Sequence, residues 1–265
     1  MPELPEVEAY RRLAEEALHR PIAAVAFPDP RFVRGLVAPR EMKRRLLGAS
    51  FGAARRIGKL LVLDLEGTAA AADHRLGIRF GMTGSLFVDG YPAVDELIYS
   101  SKQRGAQWDR FGVRFTDGGD LVVHDPRLLG GVSLDPDESV LGPDAMTVTA
   151  AQLRDLLAGS AAPLKARLLD QARLAGVGNL LADEILWRAS LSPLRRAGSL
   201  SPAEVRRLHH HLRATLTELS ARGGSHMGDL MSARQKGGRC PRDGAELMRS
   251  TVGGRTSWWC PLHQK

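Results

Sequence analysis

"PLKARLLDQARLAGVGNLLADEILWRA", residues 163–189, decides how the second half of the chain is built. Apolar residues of helical period run through 162–174, stop at 175–179 and resume over 180–190. Gly176 and Gly178 place a tight turn between two helices, with Asn179 at the start of the second. Backbone N–H groups at such a helix start form a ready phosphate site, and the Asn179 side chain adds a donor. Lys165, on the preceding helix, is in range of the same phosphate. The turn by itself says that phosphate is gripped, not by which kind of helical module. Asp183 and Glu184 read as residues that pair or pack on the helix.

Working outward, residues 149–159 ("TAAQLRDLLAG") read as a helix. Residues 201–224 read as a long one with a capping box at Ser201 and Glu204, Pro202 at its first position and Gly223 past its end. The Pro-, Gly- and Asp-rich stretch 135–146 ("DPDESVLGPDAM") reads as a linker. Upstream the pattern is of strands: 22–27, 50–56, 59–65, 76–82, 85–90 and 108–125, the last with a hairpin at "FTDGGDLV". "TAAAAD", 68–73, reads as a surface insertion. An opening helix runs from Pro5 to about Arg20, where Pro21 stops it. The expected class is α+β: an N-terminal helix and β-sandwich over 1–135, a helical domain over 136–224, and a short, basic, turn-rich C-terminal part over 225–265 that a family resemblance makes a β-hairpin.

The charge is uneven. The chain carries +7, yet residues 185–265 hold 14 Lys or Arg against 5 Asp or Glu. Two readings stand on charge alone: a phosphate-rich partner, or a basic surface with none. Arginine outnumbers lysine 31 to 6, so the lysines at 43, 59, 102, 165, 236 and 265 mark places where a proton can be lost near neutrality. No apolar run reaches the length of a membrane span. The acidic start (Glu3, Glu6, Glu8) argues against a signal or transit peptide, so a cytoplasmic location is expected. Two cysteines make no disulfide framework and suggest metal or chemistry.

"MPELPEVEAYRRL" (1–13) holds the other chemical signal. Methionine before a small residue is usually cleaved, which would leave Pro2 as a free secondary amine. An α-amino group titrates near ~8, and the positive end of a helix lowers that further. Such an amine can attack an electrophilic sugar carbon and form an iminium. Glu3 could move the protons for that step. The plainer reading, that Pro5 and the glutamates only start a helix, stays open on these residues alone.

Several motifs, in order, resemble the formamidopyrimidine-DNA glycosylase / endonuclease VIII family. "PELPEVE" resembles its N-terminus. "RRIGKLLVLDL" (55–65) resembles the segment with its catalytic lysine, here Lys59. "FGMTGSL" (80–86) resembles its turn with an intercalating methionine, here Met82. "DPRLLG" (125–130) resembles the loop that fills the gap left by a flipped base, with Arg127 and Leu129. Residues 163–189 resemble its helix-two-turn-helix, and "VGGRTSWWCP" (252–261) its final hairpin with a DNA-contacting arginine, here Arg255. From the residues alone, Lys59 is also consistent with a solvated strand-end lysine and Met82 with a core methionine. The chain departs from the family pattern at Leu128 and Leu129, where Arg-Phe is usual, and at Arg79, where many relatives have histidine.

The resemblance implies a bifunctional DNA glycosylase. It would flip out an oxidised base from double-stranded DNA, use Pro2, Glu3 and Lys59 catalytically, and cut the strand by β- or β,δ-elimination. Met82, Arg127, Leu129, Lys165, Asn179 and Arg255 would contact DNA. It further implies a monomer in the bacterial cytoplasm, associated with the nucleoid. A non-catalytic protein that binds lesions or junctions is the alternative. Many relatives hold zinc with four cysteines. Here the same spacing reads Cys240, Asp243, Cys260 and His263, so Zn2+ and a zinc-free hairpin packed by Trp258 and Trp259 both stand. "PELPEVE" leans toward oxidised purines, whereas the short 225–239 segment leans toward oxidised pyrimidines.

Overall fold

The computed structural model describes residues 2–94 and 105–265. The removal of Met1 and the lysine at 102 fall outside the described residues. The chain forms two compact units: Pro2 with Glu6–Glu138, and Glu3–Pro5 with Ser139–Lys265.

In the first unit, helix α1 (Leu4–Ala14) precedes β1 (Ile22–Ala26), helix α2 (Pro39–Leu46), β2 (Ser50–Ile57), β3 (Leu60–Glu66), β4 (Arg75–Arg79), β5 (Ser85–Val88), the two-residue β6 (Tyr91–Pro92), β7 (Asp109–Phe115), β8 (Asp120–His124) and β9 (Gly131–Leu134). The strands form two antiparallel sheets, β1-β7-β8-β5-β6 and β2-β3-β4-β9. Their inner faces share one core. Leu61, Leu63, Ile78 and Val132 come from one sheet, and Val113, Leu121 and Val123 from the other. Phe51 and Phe115 meet edge to face across it at 6.3 Å. Strand alternation sets which residues turn inward, as on β8, where Leu121 and Val123 are buried and Val122 between them is half-buried. The sandwich expected from the sequence is present.

Some elements differ from the sequence expectation. Helix α1 stops at Ala14, six residues before Arg20, and tightens into a 3-10 turn at Glu15–Ala17. Leu18 is then extended and bridges Phe51, so sheet pairing rather than Pro21 ends the helix. Helix α2 lies inside the stretch read as strands. It buries only Met42 and Leu46, one helical turn apart, too few apolar residues to announce a period. Strand β9 was not expected either. The 68–73 segment is a turn, as expected, but Ala71 is fully buried in the core.

The second unit holds α3 (Ala150–Leu157), α4 (Leu164–Leu169), α5 (Asn179–Arg188), α6 (Pro202–Ala221) and the hairpin β10 (Met248–Val252) and β11 (Arg255–Trp259). The capping boxes of α3 (Thr149, Gln152) and α6 (Ser201, Glu204) are both closed. Leu208, Leu212, Leu216 and Leu219 of α6 bury against Leu181, Ile185 and Leu186 of α5. Helix α4 has six residues, not the thirteen suggested by 162–174. The chain turns at Asp170, whose carbonyl accepts from the N–H groups of Arg173 and Leu174. Within the expected linker, Gly142–Ala145 is pinned: Gly142 N–H donates to Gln171, Ala145 N–H to Ala175, and Ala175 N–H to Pro143. No helix among the described residues is long and apolar enough to cross a membrane.

Candidate functional site

Pro2 and Glu3 are both buried, and Glu3 has no exposed surface. The Glu3 carboxylate accepts the N–H groups of Leu180 (2.9 Å) and Leu181 (3.1 Å), at the N-terminus of α5. A helix start is where the unpaired N–H groups and the dipole both favour an anion. The turn before α5 is shaped for this insertion. A β-carbon on Gly178 would stand 2.2 Å from the Glu3 carboxyl carbon, and one on Gly176 2.5 Å from Leu4 Cδ1. Gln171 braces the turn, donating to the carbonyls of Leu169 and Val177 while its Oε1 accepts from Gly176 N–H.

Several N–H groups around the glycine turn are engaged within the protein. The N–H groups of Leu180 and Leu181 are taken by Glu3 and that of Gly176 by Gln171. Asn179 opens α5 with its side chain half-buried, and its Oδ1 is buried without a protein partner. Lys165 is the lysine expected to reach a phosphate at this turn. It is fully buried, its ammonium 2.7 Å from Asp183 Oδ1 and donating to the Thr256 carbonyl at 3.0 Å. Burial pushes its pKa down, while the Asp183 charge opposes the shift. Asp183 also accepts from the Ser257 hydroxyl, Trp258 N–H and Arg234, so it ties α5 to β11. Glu184 pairs with Arg188 and accepts from the N–H groups of Asp229 and Leu230. The network roles of Gln171 and Arg234 had no signal in the sequence beyond a polar residue near a turn.

In the first unit, Lys59 is the second residue of the two-residue turn joining β2 to β3, where Ile57 pairs with Leu60. Gly58 adopts φ 57°, as the first position of such a hairpin requires, and Lys59 follows half-buried. Arg56 fixes the turn by donating to the Gly58 carbonyl at 2.9 Å and pairing with Glu8 of α1 at 3.1 Å.

Met82 and Arg127 are brought together, with Arg127 Nη1 3.8 Å from Met82 Sδ. Met82 is half-buried, whereas Arg127 and Leu129 are exposed. Leu128, between them, takes φ 53° and packs against the core. Beneath the loop lies Asp125, fully buried, which accepts from the Thr83 hydroxyl at 2.5 Å and from Gly130 N–H at 2.7 Å. The backbone of Gly81 approaches the loop so closely that a β-carbon there would stand 2.5 Å from the Leu129 carbonyl carbon.

Arg255 starts β11 and is exposed beside the turn Gly253–Gly254, where both residues have positive φ (56° and 71°). At the base of the same hairpin, ligand atoms of Cys240, Asp243, Cys260 and His263 all lie within 4.8 Å of one another. Edges of a tetrahedron with zinc-like bonds measure about 3.3–3.8 Å. Cys240 Sγ to His263 Nδ1 is 3.8 Å and Cys260 Sγ to Asp243 is 3.3 Å. Asp243 to His263 is tighter at 2.7 Å, a direct hydrogen bond that an ion would open slightly. The four residues can hold a metal ion.

A helix-headed β-sandwich, a helical unit built on a two-glycine turn and a small hairpin with a metal-competent base make up the architecture of a helix-two-turn-helix DNA glycosylase. Residues 1–132 match the formamidopyrimidine-DNA glycosylase N-terminal domain and residues 141–229 the formamidopyrimidine-DNA glycosylase H2TH domain. The chain is 34% identical over 284 residues to a formamidopyrimidine-DNA glycosylase of Carboxydothermus hydrogenoformans, covering 100% of both. It is 32% identical over 282 residues to one of Arabidopsis thaliana, covering 100% of this chain and 71% of that protein. Among solved structures, Lactococcus lactis Fpg in complex with abasic-site DNA superposes with a TM-score of 0.81 at 26% identity, covering 100% of both chains. An Fpg variant of that organism with Fapy-dG DNA gives 0.82 at the same identity and coverage. The chain belongs to the formamidopyrimidine-DNA glycosylase family. Its activity is that of a DNA glycosylase with lyase action at apurinic or apyrimidinic sites.

Proposed function

We propose that Pro2, freed by loss of Met1, is the nucleophile, and that Glu3 is its acid/base partner. The observation that carries this reading is the Glu3 carboxylate, buried and held by two N–H groups at the start of α5, one residue from the proline nitrogen. The Pro2 nitrogen attacks C1′ of a flipped nucleotide and the base leaves with a proton. The nitrogen loses its own proton as the ring opens, which gives an iminium between Pro2 and C1′. The iminium acidifies the neighbouring C2′ proton. Its removal expels the 3′-phosphate by β-elimination, and a second elimination at the 5′ side gives the δ product. Lys59, on the β2–β3 turn, assists at the sugar-phosphate.

The substrate is damaged double-stranded DNA. Met82, Arg127 and Leu129 fill the space of the flipped base, and Asn179 and Arg255 contact the backbone. Cys240, Asp243, Cys260 and His263 hold Zn2+, which cross-links the hairpin carrying Arg255. The protein acts as a monomer in the bacterial cytoplasm, at the nucleoid. The chain divides functionally at 135/136 and 224/225.

Borohydride trapping on a duplex with an abasic site tests the chemistry. A covalent adduct is expected, lost in Pro2→Gly. An adduct that survives that change, or a mature protein that retains Met1, would count against Pro2. The same assay on a panel of oxidised purines and pyrimidines, against each opposite base, defines the lesion.

A further inference from the structure

The loop that carries Arg127 and Leu129 is tied down carbonyl by carbonyl from two sides. Arg110, on β7, donates from Nε to the Asp125 carbonyl at 2.9 Å and from Nη2 to the Pro126 carbonyl at 3.4 Å. Arg34 donates from Nη2 to the Leu128 carbonyl at 3.3 Å, and from both Nε and Nη2 to the Gly130 carbonyl at 3.2 Å. The two residues these arginines skip, Arg127 and Leu129, are the exposed ones.

Further features show that the arrangement is built in. Arg34 is anchored through its own backbone, with its N–H donating to the Val132 carbonyl at 2.7 Å. Its side chain runs across Gly131, where a β-carbon would stand 2.3 Å from Arg34 Cγ, so the glycine provides the path. Leu128 is held at φ 53°, a conformation that a non-glycine residue keeps only when its surroundings fix it.

We propose that Arg34 and Arg110 are positioning residues, a two-arginine clamp that stiffens the Asp125–Gly130 loop so that Arg127 and Leu129 can press into a base stack. This rests on the reading of that loop as the element that fills the flipped base's place. A wedge opens a stack only if it yields less than the stack does. Planar guanidinium forks that each hold two carbonyls remove the loop's hinge freedom. Here the role of these arginines is mechanical, since the donors named above are directed at protein carbonyls.

The test compares Arg34→Met, Arg34→Lys, Arg110→Met and Leu129→Ala on two DNAs. One is a duplex with a lesion and a neighbouring 2-aminopurine, whose fluorescence reports unstacking. The other is a single strand with an abasic site, which has no stack to open. Arg34→Met and Arg110→Met should each lose roughly tenfold in excision and in the 2-aminopurine rise on duplex. Their cleavage of the single strand should stay at wild type, and their melting temperatures should fall by only a few degrees, about 2–4 °C per kcal/mol lost, leaving the fold intact at the assay temperature. Arg34→Lys keeps the charge but loses the fork, and should fall with Arg34→Met. Full activity in Arg34→Lys, or equal loss on both DNAs, overturns the clamp. If Leu129→Ala is impaired on duplex while Arg34→Met and Arg110→Met are not, the loop is a wedge that needs no clamp, and the proposal fails alone. If Leu129→Ala is unimpaired, the reading of the loop fails and takes the clamp with it.

Discussion

The carboxyl carbon of Glu3 lies 2.2 Å from the point where a β-carbon on Gly178 would stand. Gly178 itself has φ −118° and ψ −167°, extended backbone that any residue adopts. Its missing side chain is therefore explained by the carboxylate and not by the turn. Gly176 differs: its φ of 115° demands glycine, and Leu4 also fills the space beside it. The glycine turn and the start of the chain thus form one device, in which Glu3 is seated on the N–H groups of Leu180 and Leu181.

Gly178→Ala isolates that device. The backbone tolerates alanine, so the fold should survive, while the methyl group expels the Glu3 carboxylate from the helix start. Excision should drop roughly 10²-fold or more, in the range a misplaced acid/base group produces. Circular dichroism should show an unchanged fold. Single-turnover rates equal to wild type would mean that the seat of Glu3 is unimportant.

The sequence made some of this legible and hid the rest for physical reasons. Helix caps are local, so the Ser201–Glu204 box could be read directly. The strands of the sandwich were legible because alternation and turn residues are local too. Seats formed by distant residues were not. Nothing in "AGVGN" says that the N–H groups just beyond it, of Leu180 and Leu181, are taken by Glu3. Lys165 looked like a phosphate ligand because a lysine near a glycine turn is usually exposed. Its burial depends on Asp183 and on Thr256, 91 residues away. Helix α2 was missed because two buried apolar side chains carry no period.

Lys165→Met follows from that burial. It removes one partner of an ion pair whose side chains are 0% and 1% exposed. Asp183 keeps Arg234, Ser257 and Trp258 N–H, so the loss should sit near the low end for a broken buried pair, about 3 kcal/mol by urea denaturation. The salt dependence of DNA binding should not change. A phosphate ligand would behave in the opposite way: stability would be kept, and the log–log salt slope would fall by about 1.

Glu204 sets a pH dependence. Burial alone would raise its pKa, but Ser201 N–H, the Arg195 guanidinium and the Ser201 hydroxyl hold it down to about 2, from the usual 4.5 of a free glutamate. A carboxylate depressed in the folded state contributes stability that is complete above pH 4.5 and is lost as pH falls from there toward 2. Melting temperature should therefore decline across that window. Glu204→Gln should be less stable at pH 7 and show a shallower decline. An unaltered slope in the variant would assign the acid sensitivity to other groups.

The mixed donor set at the hairpin base gives the last prediction. Trp187 Nε1–H donates to Cys240 Sγ at 3.3 Å, and its ring lies edge-on to His263 at 6.3 Å, so this one indole touches two of the four candidate ligands. An ion that draws Cys240 and His263 toward itself must change the environment of Trp187. Elemental analysis should find about one zinc per chain, and a chelator should both remove it and shift tryptophan emission. The shift should shrink in Trp187→Phe, which leaves Trp258, packed against the cluster that holds both cysteines, and Trp259 beside Cys260 in place. Asp243→Ala should weaken the metal without abolishing it, because three ligands remain. Cobalt(II) in place of zinc should show thiolate charge-transfer absorbance that is reduced in Cys260→Ser. A folded, active protein that contains no zinc and binds no cobalt would leave the hairpin held by its hydrogen bonds and by the packing of Trp258 and Trp187. In that case the 2.7 Å contact between Asp243 and His263 is the resting structure and not a collapsed metal site.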